Sequence, residues 1–169
     1  MAQQARKKPF EGLRVADFAW VGVGPTVSKY LADHGAEVIR IESSTYPEAL
    51  RRVGPFVNDT PNIDGSGYYA NFNSSKLCMS VNFKHPRGPE LVRRLVAKCD
   101  VVTESYTPGT MARFGFDYES LSAGRDDLLM VSMPLYGQTG PWANYMGYGH
   151  VLQAASGFNH LTGWEDGPP

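Results

Sequence analysis

The sequence predicts an α/β protein with a largely parallel sheet and helices on both faces. Apolar strand patterns alternate with amphipathic helix patterns along the chain, and such alternation is typical of repeated strand-helix-strand units. Glycine and proline mark most of the transitions between them. With 169 residues, 42% hydrophobic and 20% charged, the chain has ordinary globular composition and enough length to bury a core.

The first unit spans residues 13–42. An apolar strand begins at Leu13, a Gly-Pro turn follows at Gly24-Pro25, Gly35 ends a short helix, and a second strand finishes at Glu42. Ligands of parallel α/β sheets bind beside the carboxyl ends of the strands. The opening turn is therefore the predicted place for a ligand.

The rest of the chain continues the alternation. Residues 43–67 are polar and rich in Gly, Pro and Asn, which predicts a long loop with function or mobility. The other predicted elements are a strand at 77–82, a helix from Pro86 to about Lys98, a strand at 100–103, a short helix near 111–114 and a strand at 128–133.

Charge and cysteine content narrow the function classes. Sixteen basic and seventeen acidic residues give a formal net charge of −1, which favours neither a nucleic-acid nor a membrane-surface partner. Neither the two cysteines, Cys78 and Cys99, nor the four histidines have metal-ligand spacing. The basic N-terminus is not followed by an apolar run, so we expect no signal peptide, no membrane span and a cytoplasmic location.

A dinucleotide site is the first rival interpretation of the opening unit. Gly22 and Gly24, followed by Glu42, roughly imitate the glycine fingerprint with its ribose-binding acid. Val27 stands where the third glycine would be, and Pro25 removes a backbone donor that a pyrophosphate would need. These departures argue against a dinucleotide.

The ordered set of motifs resembles the class III CoA-transferases, of the formyl-CoA transferase and carnitine CoA-transferase type. The blocks that carry the resemblance are the opening unit, Asn73-Ser-Ser-Lys76, residues 104–109 with Arg113-Phe-Gly115, residues 135–141, residues 153–157 and residues 162–169. The resemblance implies a Rossmann-like large domain that binds CoA, a smaller second domain and two interlocked chains. Residues 1–12 would then be a tail, and residues 13–169 the N-terminal part of the large domain.

The resemblance also implies a mechanism. An aspartate attacks an acyl-CoA to give a mixed anhydride and CoA thiolate, and the thiolate returns to form an aspartyl-CoA thioester from which CoA passes to an acceptor acid. This aspartate is expected just beyond Pro169, and Asp166 belongs to the preceding turn. The chain would thus hold no catalytic residue and be inactive alone, as a fragment, a proteolysed half or one subunit of a heteromer.

CoA contacts are the contribution expected from this part of the family fold. The resemblance places Trp20, Val21 and Val23 at the acyl-CoA entrance, and Ser43, Tyr106 and Arg113 near the nucleotide. Two of these have a structural alternative: Trp20 is a wall of the substrate site or a core ring, and Arg113 is a phosphate contact or a solvated arginine at a helix end. Position and chemistry add the following candidates, each with a structural alternative: Lys76 and Arg40 as cations at strand boundaries or as solvated charges, and Tyr136 as a cleft residue at a strand end or as a core ring.

Two other functions remain open at this point. The superfamily includes α-methylacyl-CoA racemases, whose catalytic histidine aligns with Tyr148 here; His150, two residues later, would lie about 200° around a helix. A catalytically silent subunit that binds CoA or stabilises an active partner is the non-enzymatic alternative. In each case the expected assembly is a homodimer or a heteromer, without a metal.

Overall fold

Five parallel strands form one sheet in the computed structural model, which describes residues 7–167. The strands are β1 (Arg14–Asp17), β2 (Glu37–Glu42), β3 (Leu77–Ser80), β4 (Val101–Glu104) and β5 (Leu129–Ser132), in the order β3-β2-β1-β4-β5. The predicted fold class is confirmed. Residues 1–6 of the expected tail, and Pro168 and Pro169, lie outside the described residues.

Six α-helices connect the strands or follow them in residues 7–167. They are α1 (Val23–Asp33), α2 (Gly67–Asn73), α3 (Gly88–Val96), α4 (Thr110–Arg113), α5 (Tyr118–Leu121) and α6 (Gly149–Ala155). Short 3-10 turns lie at Ala49–Arg52, Val57–Asp59 and Phe158–Leu161.

Helix α3 begins two residues later than the sequence predicts. Pro86 lies in a turn in which the amide of Gly88 donates to the carbonyl of His85 at 2.8 Å. Pro89 instead occupies the first helical turn, where a missing backbone donor costs nothing. The predicted start at Pro86 is therefore wrong, because the second proline is the one that the helix accommodates.

The two faces of the sheet bury different cores, because side chains alternate along each strand. On one face, strand residues pack against α3 and the segment after α4; this apolar cluster includes Phe18, Ile41, Val92, Val96, Val102, Met111, Phe116 and Leu128. On the other face, Val15, Val38 and Val101 pack against Ala32 of α1 and Ala36. Helices therefore cover both faces, as the alternating pattern predicted.

The segment after β5 has almost no buried side chains. Ala143 is its last buried residue, and every residue from 144 to 167 is exposed, including all of α6. Met146 and Trp164 are 80% and 89% exposed. No helix within residues 7–167 has the length and apolar character needed to cross a bilayer.

Candidate active site and ligand cavity

The turn after β1 holds a strained valine. Val21 has φ +66°, a left-handed conformation that β-branched residues rarely adopt. Its amide donates to Oε1 of Glu48 at 2.6 Å. The neighbouring Trp20 amide donates to Ser105 Oγ at 2.8 Å, and the Ser105 hydroxyl donates to the Trp20 carbonyl at 3.1 Å. A strained backbone that several contacts maintain is characteristic of functional turns.

Charged side chains lie beneath this turn on the face of the sheet that packs against α1. Asp17 is the register partner of Arg40 on β2 and of Thr103 on β4. Asp17 follows Val15, and Arg40 follows Val38, at a spacing of two residues, so both polar side chains share the face of those buried valines. Three neighbouring strands thus bring these polar groups together at their carboxyl ends.

Arg40 is fully buried and fully paired. Its guanidinium donates to the Ala19 carbonyl at 2.7 Å and to Glu42 at 3.2 Å, and it pairs with Oε2 of Glu48. Asp17 lies 3.5 Å from the same guanidinium. The expectation of a solvated charge at Arg40 is therefore wrong, because the residue lies inside β2 with carboxylates around it.

The ammonium group of Lys76 is also fully used in hydrogen bonds within the chain. Its ammonium donates to Asp17 at 3.0 Å, to the Pro25 carbonyl at 2.8 Å and to the Asn73 side chain at 3.0 Å. Burial lowers the pKa of Lys76, an effect that Asp17 partly offsets. The solvated alternative is wrong, and with three acceptors for its three protons Lys76 joins β1 to the first turn of α1.

Glycine 24 allows α1 to approach the sheet. A Cβ at this position would come within 2.4 Å of the Ala19 Cβ and 3.0 Å of the Ser105 Cβ. Gly24 is buried, whereas Gly22 has nothing within 4 Å of its Cβ position. Close packing, rather than room for a ligand, therefore requires the glycine at position 24.

A cavity of about 370 Å³ lies between the carboxyl ends of β2 and β4. Its aromatic walls come from Trp20, Tyr46, Phe83, Tyr106 and Phe114. The Trp20 ring stacks on Tyr46 with centroids 5.7 Å apart, and it lies 6.0 Å from Tyr106 at 60°. Such a cavity has the size and composition of a small-molecule site, and its rings offer stacking surfaces to a planar ligand.

Three of the nine candidate contact residues line this cavity: Trp20, Ser43 and Tyr106. The Trp20 ring forms a wall of the cavity, and its Nε1 is buried without a hydrogen-bond partner among the described residues. Arg113 is exposed at the end of α4 and donates to Thr110 Oγ1 at 2.8 Å, and Thr110 is itself a lining residue.

The remaining predicted residues lie outside this cavity. Val21 forms the strained turn, and Val23, 71% exposed, begins α1. Tyr136 lies in the loop after β5, where its ring makes edge contacts with Trp142 at 5.8 Å and Tyr145 at 6.4 Å.

A second cavity, of about 380 Å³, shares Tyr106 with the first. Tyr145 and Tyr148 line it. Tyr148, the position expected for the racemase histidine, immediately precedes α6 in extended backbone, and His150 lies in the first turn of that helix with an exposed side chain. The expected separation of about 200° around one helix therefore does not apply, because Tyr148 lies outside the helix.

At the rim of the first cavity, Glu42 is held in its ionised form. The Arg51 guanidinium donates to its carboxylate at 2.7 Å, and the Tyr69 hydroxyl donates to it as well. Arg51 also lies over the Tyr69 ring, 3.8 Å from its centroid. Burial raises the pKa of Glu42, but the bonds from Arg51 and Tyr69 outweigh that effect and hold the pKa below its usual value.

Several site residues escaped the sequence interpretation. Tyr46 and Glu48 lie in the stretch treated as a loop, and Phe83 and Phe114 look like ordinary core rings in the sequence. A signal did exist for Asp17 and Arg40, because each interrupts an apolar alternation within a predicted buried strand. Within residues 7–167 no group of three or more His, Cys, Asp or Glu side chains could hold a metal ion.

Comparison with known proteins gives a consistent family assignment. The profile of CoA-transferase family III matches residues 10–169. The chain is 40% identical over 163 residues to the succinyl-CoA:glutarate CoA-transferase of Mus musculus, covering 96% of this chain and 36% of that protein. It is 41% identical over 167 residues to the succinate–glutarate CoA-transferase of Agrobacterium fabrum, covering 97% and 42%.

A solved structure agrees with this assignment. A CAIB/BAIF family protein from Brucella suis superposes with a TM-score of 0.87 at 36% identity, covering 97% of this chain and 43% of that chain. The chain thus spans about two fifths of the length of the relatives that it matches.

Proposed function

Because this chain belongs to CoA-transferase family III, we propose that it supplies CoA-binding elements to an enzyme that transfers CoA between an acyl-CoA thioester and a free carboxylic acid. The observation that carries the proposal is the strained Val21 turn beside an aromatic cavity at the carboxyl ends of β2 and β4. Ligands of parallel α/β sheets bind in this place.

The parts of CoA match the chemistry around the turn. The aromatic walls suit the adenine ring, which can stack on Trp20, Tyr46 or Tyr106. Phosphates would take donors from Arg113 and from Ser43 at the rim. The first turn of α1 has no side-chain cap. Pro25 has no amide proton, and the Val21 amide is bonded to Glu48. At Val21 and Val23, the Val23 amide and the positive end of the helix dipole are therefore what remain for the oxygen that becomes negative when the thioester carbonyl is attacked.

The relatives suggest which acids to test. Those from mouse and Agrobacterium are named for succinate or succinyl-CoA with glutarate, and a relative from Acetobacter aceti, 38% identical, is named an acetyl-CoA:oxalate CoA-transferase. We therefore propose dicarboxylic acids as the acceptor class. Succinyl-CoA with glutarate is the first pair to assay.

The nucleophile and part of the assembly lie elsewhere in this proposal. We propose that the aspartate that forms the anhydride follows Pro169, in line with the family resemblance. Exposed apolar side chains after Ala143, such as Met146 and Trp164, favour burial against further protein. A homodimer or a heteromer would provide that cover.

The decisive experiment compares the 169-residue chain with the protein assembled in its native source. We expect the assembled protein to convert succinyl-CoA and glutarate to glutaryl-CoA, measured by mass spectrometry, and the isolated chain to give no turnover. Turnover by the mass-verified isolated chain would contradict an external nucleophile. An assembly that exchanges the α-proton of an acyl-CoA in D₂O without any acceptor acid would instead support the racemase alternative.

Ligand binding tests the contribution of this chain directly. In the assembled protein, Arg113→Ala should weaken CoA binding by about 1–3 kcal/mol, the range for a lost charged hydrogen bond. Isothermal calorimetry measures the affinity, and Arg94→Ala, on the exposed side of α3, is the matched loss of one surface arginine. An assembly that binds CoA without any transfer would favour the silent-subunit alternative, and unchanged affinity in Arg113→Ala would remove that residue from the site.

A further inference from the structure

We infer that Glu48 is a positioning residue, whose carboxylate fixes the left-handed Val21 in the turn that faces the acyl-CoA. The expected effect on CoA binding rests on the proposed function. The contact between Glu48 and Val21 does not depend on it. Glu48 comes from the segment between β2 and α2, and it reaches the turn from outside the strand-helix unit that contains Val21.

Both oxygens of the Glu48 carboxylate are in use. The side chain is completely buried. Oε1 accepts from the Val21 amide at 2.6 Å, and Oε2 pairs with the Arg40 guanidinium. A buried carboxylate is costly unless charge and hydrogen bonds compensate it, so this pairing fixes the position of Oε1 as well.

The Val21 conformation needs such a contact. A valine at φ +66° is strained, and it persists only where its surroundings determine it. Ser105 holds the amide and carbonyl of Trp20, one residue earlier. Among the described residues, Glu48 is the side chain that bonds the Val21 amide itself.

The same short segment also builds the cavity wall. Tyr46 lies two residues before Glu48 and stacks on Trp20, whose own backbone belongs to the turn. The Glu48 anchor therefore sets the turn and keeps the aromatic wall beside it. Loss of the anchor should loosen both parts of the site together.

Two conservative variants separate position from charge. Glu48→Gln keeps an oxygen that can accept from Val21 and removes the charge facing Arg40. Glu48→Asp keeps the charge but shortens the side chain by one methylene, so it cannot reach Val21 and Arg40 together. In both variants Arg40 retains the Ala19 carbonyl and Glu42 as partners.

Amide hydrogen exchange at Val21, measured by NMR on the 169-residue chain, is the readout. We expect Glu48→Asp to accelerate exchange at Val21 by about tenfold or more, the scale of a lost hydrogen bond to a charged acceptor, and Glu48→Gln to change it less. CoA affinity should likewise fall more in Glu48→Asp than in Glu48→Gln. Val92→Ala, in the apolar cluster on the opposite face, is the control for general destabilisation and should leave Val21 exchange unchanged relative to its neighbours.

Replacing the strained residue gives a second test. Glycine adopts φ +66° without strain, so Val21→Gly should reduce the effect of Glu48→Asp on CoA affinity. Faster Val21 exchange in Glu48→Gln than in Glu48→Asp would overturn the inference in favour of a charge effect. Equal effects of Glu48→Asp with and without Val21→Gly would overturn it too. Absence of CoA binding in the wild-type assembly would refute the proposed function, while Val21 exchange would still decide the role of Glu48.

Discussion

At the carboxyl end of the sheet, the two faces bury different kinds of side chain. Towards α3, the side chains of Phe18, Ile41 and Phe116 form an apolar core. One buried acid on this face, Glu104, lies at the end of β4 and accepts hydrogen bonds from the Tyr106 amide and Gln138. Towards α1, the same strands bury Asp17 and Arg40. The apolar face lowers the free energy of the fold by removing hydrocarbon from water, whereas buried ion pairs pay for their desolvation and add little net stability. What the ionic face provides is a fixed position for the Val21 turn.

The largest effects should come from removing one partner of the ionic face. Asp17→Ala would leave Arg40 and Lys76 without a shared carboxylate, at an expected cost of about 3–5 kcal/mol in the free energy of unfolding. Urea denaturation of the 169-residue chain measures this loss. Phe116→Ala removes a fully buried ring from the apolar face and should cost about the same, 3–5 kcal/mol.

Amide hydrogen exchange at Val21 distinguishes the two variants more sharply than their free energies of unfolding do. Asp17→Ala should accelerate amide exchange at Val21 beyond what its lower stability explains, because Arg40 would lose part of its support. Phe116→Ala should accelerate it only in proportion to global unfolding. Equal local effects of the two variants would show that the faces do not differ in how they support the turn.

The acid stability of the chain should depend on the ionic face. The folded pKa of Glu42 lies below its usual value, so its stabilising contribution is complete above the ordinary carboxyl pKa and is lost as the pH falls through the lowered value. Glu42→Gln should therefore have its largest deficit near neutral pH and approach the wild type in acid. Urea midpoints of both proteins across this pH range measure the difference. A Glu42→Gln deficit that stays constant with pH would contradict the assigned pKa shift.

The sequence predicts the apolar face better than the ionic one. Alternating hydrophobic residues specify which side chains of β1, β2 and β4 are buried, and Gly35 ends α1 where the pattern says it should. Arg40 stands out in the pattern because it interrupts a buried strand, but its partner Glu48 could not be predicted, since Glu48 lies on an irregular segment whose path only the folded chain defines. Similarly, Lys76 follows α2, so its contact with Asp17, 59 residues away, depends on packing between elements.

The smallest expected effect is a difference in the reactivity of two cysteines. Cys99 is buried in the apolar cluster, and burial raises the pKa of its thiol to about 11. Cys78 is exposed on β3, beside the Tyr69 hydroxyl at 3.4 Å. Iodoacetamide should therefore alkylate Cys78 first, since the thiolate is the nucleophile and access limits Cys99 further.

Mass spectrometry of the labelled peptides measures both rates, and Cys78→Ser should leave one slow site. In the unfolded chain, in urea, the two thiols should react at similar rates because burial no longer separates them. Fast labelling of Cys99 in the folded wild type would mean that the apolar face opens readily. The face that buries Asp17 and Arg40 would then be the more rigid of the two faces.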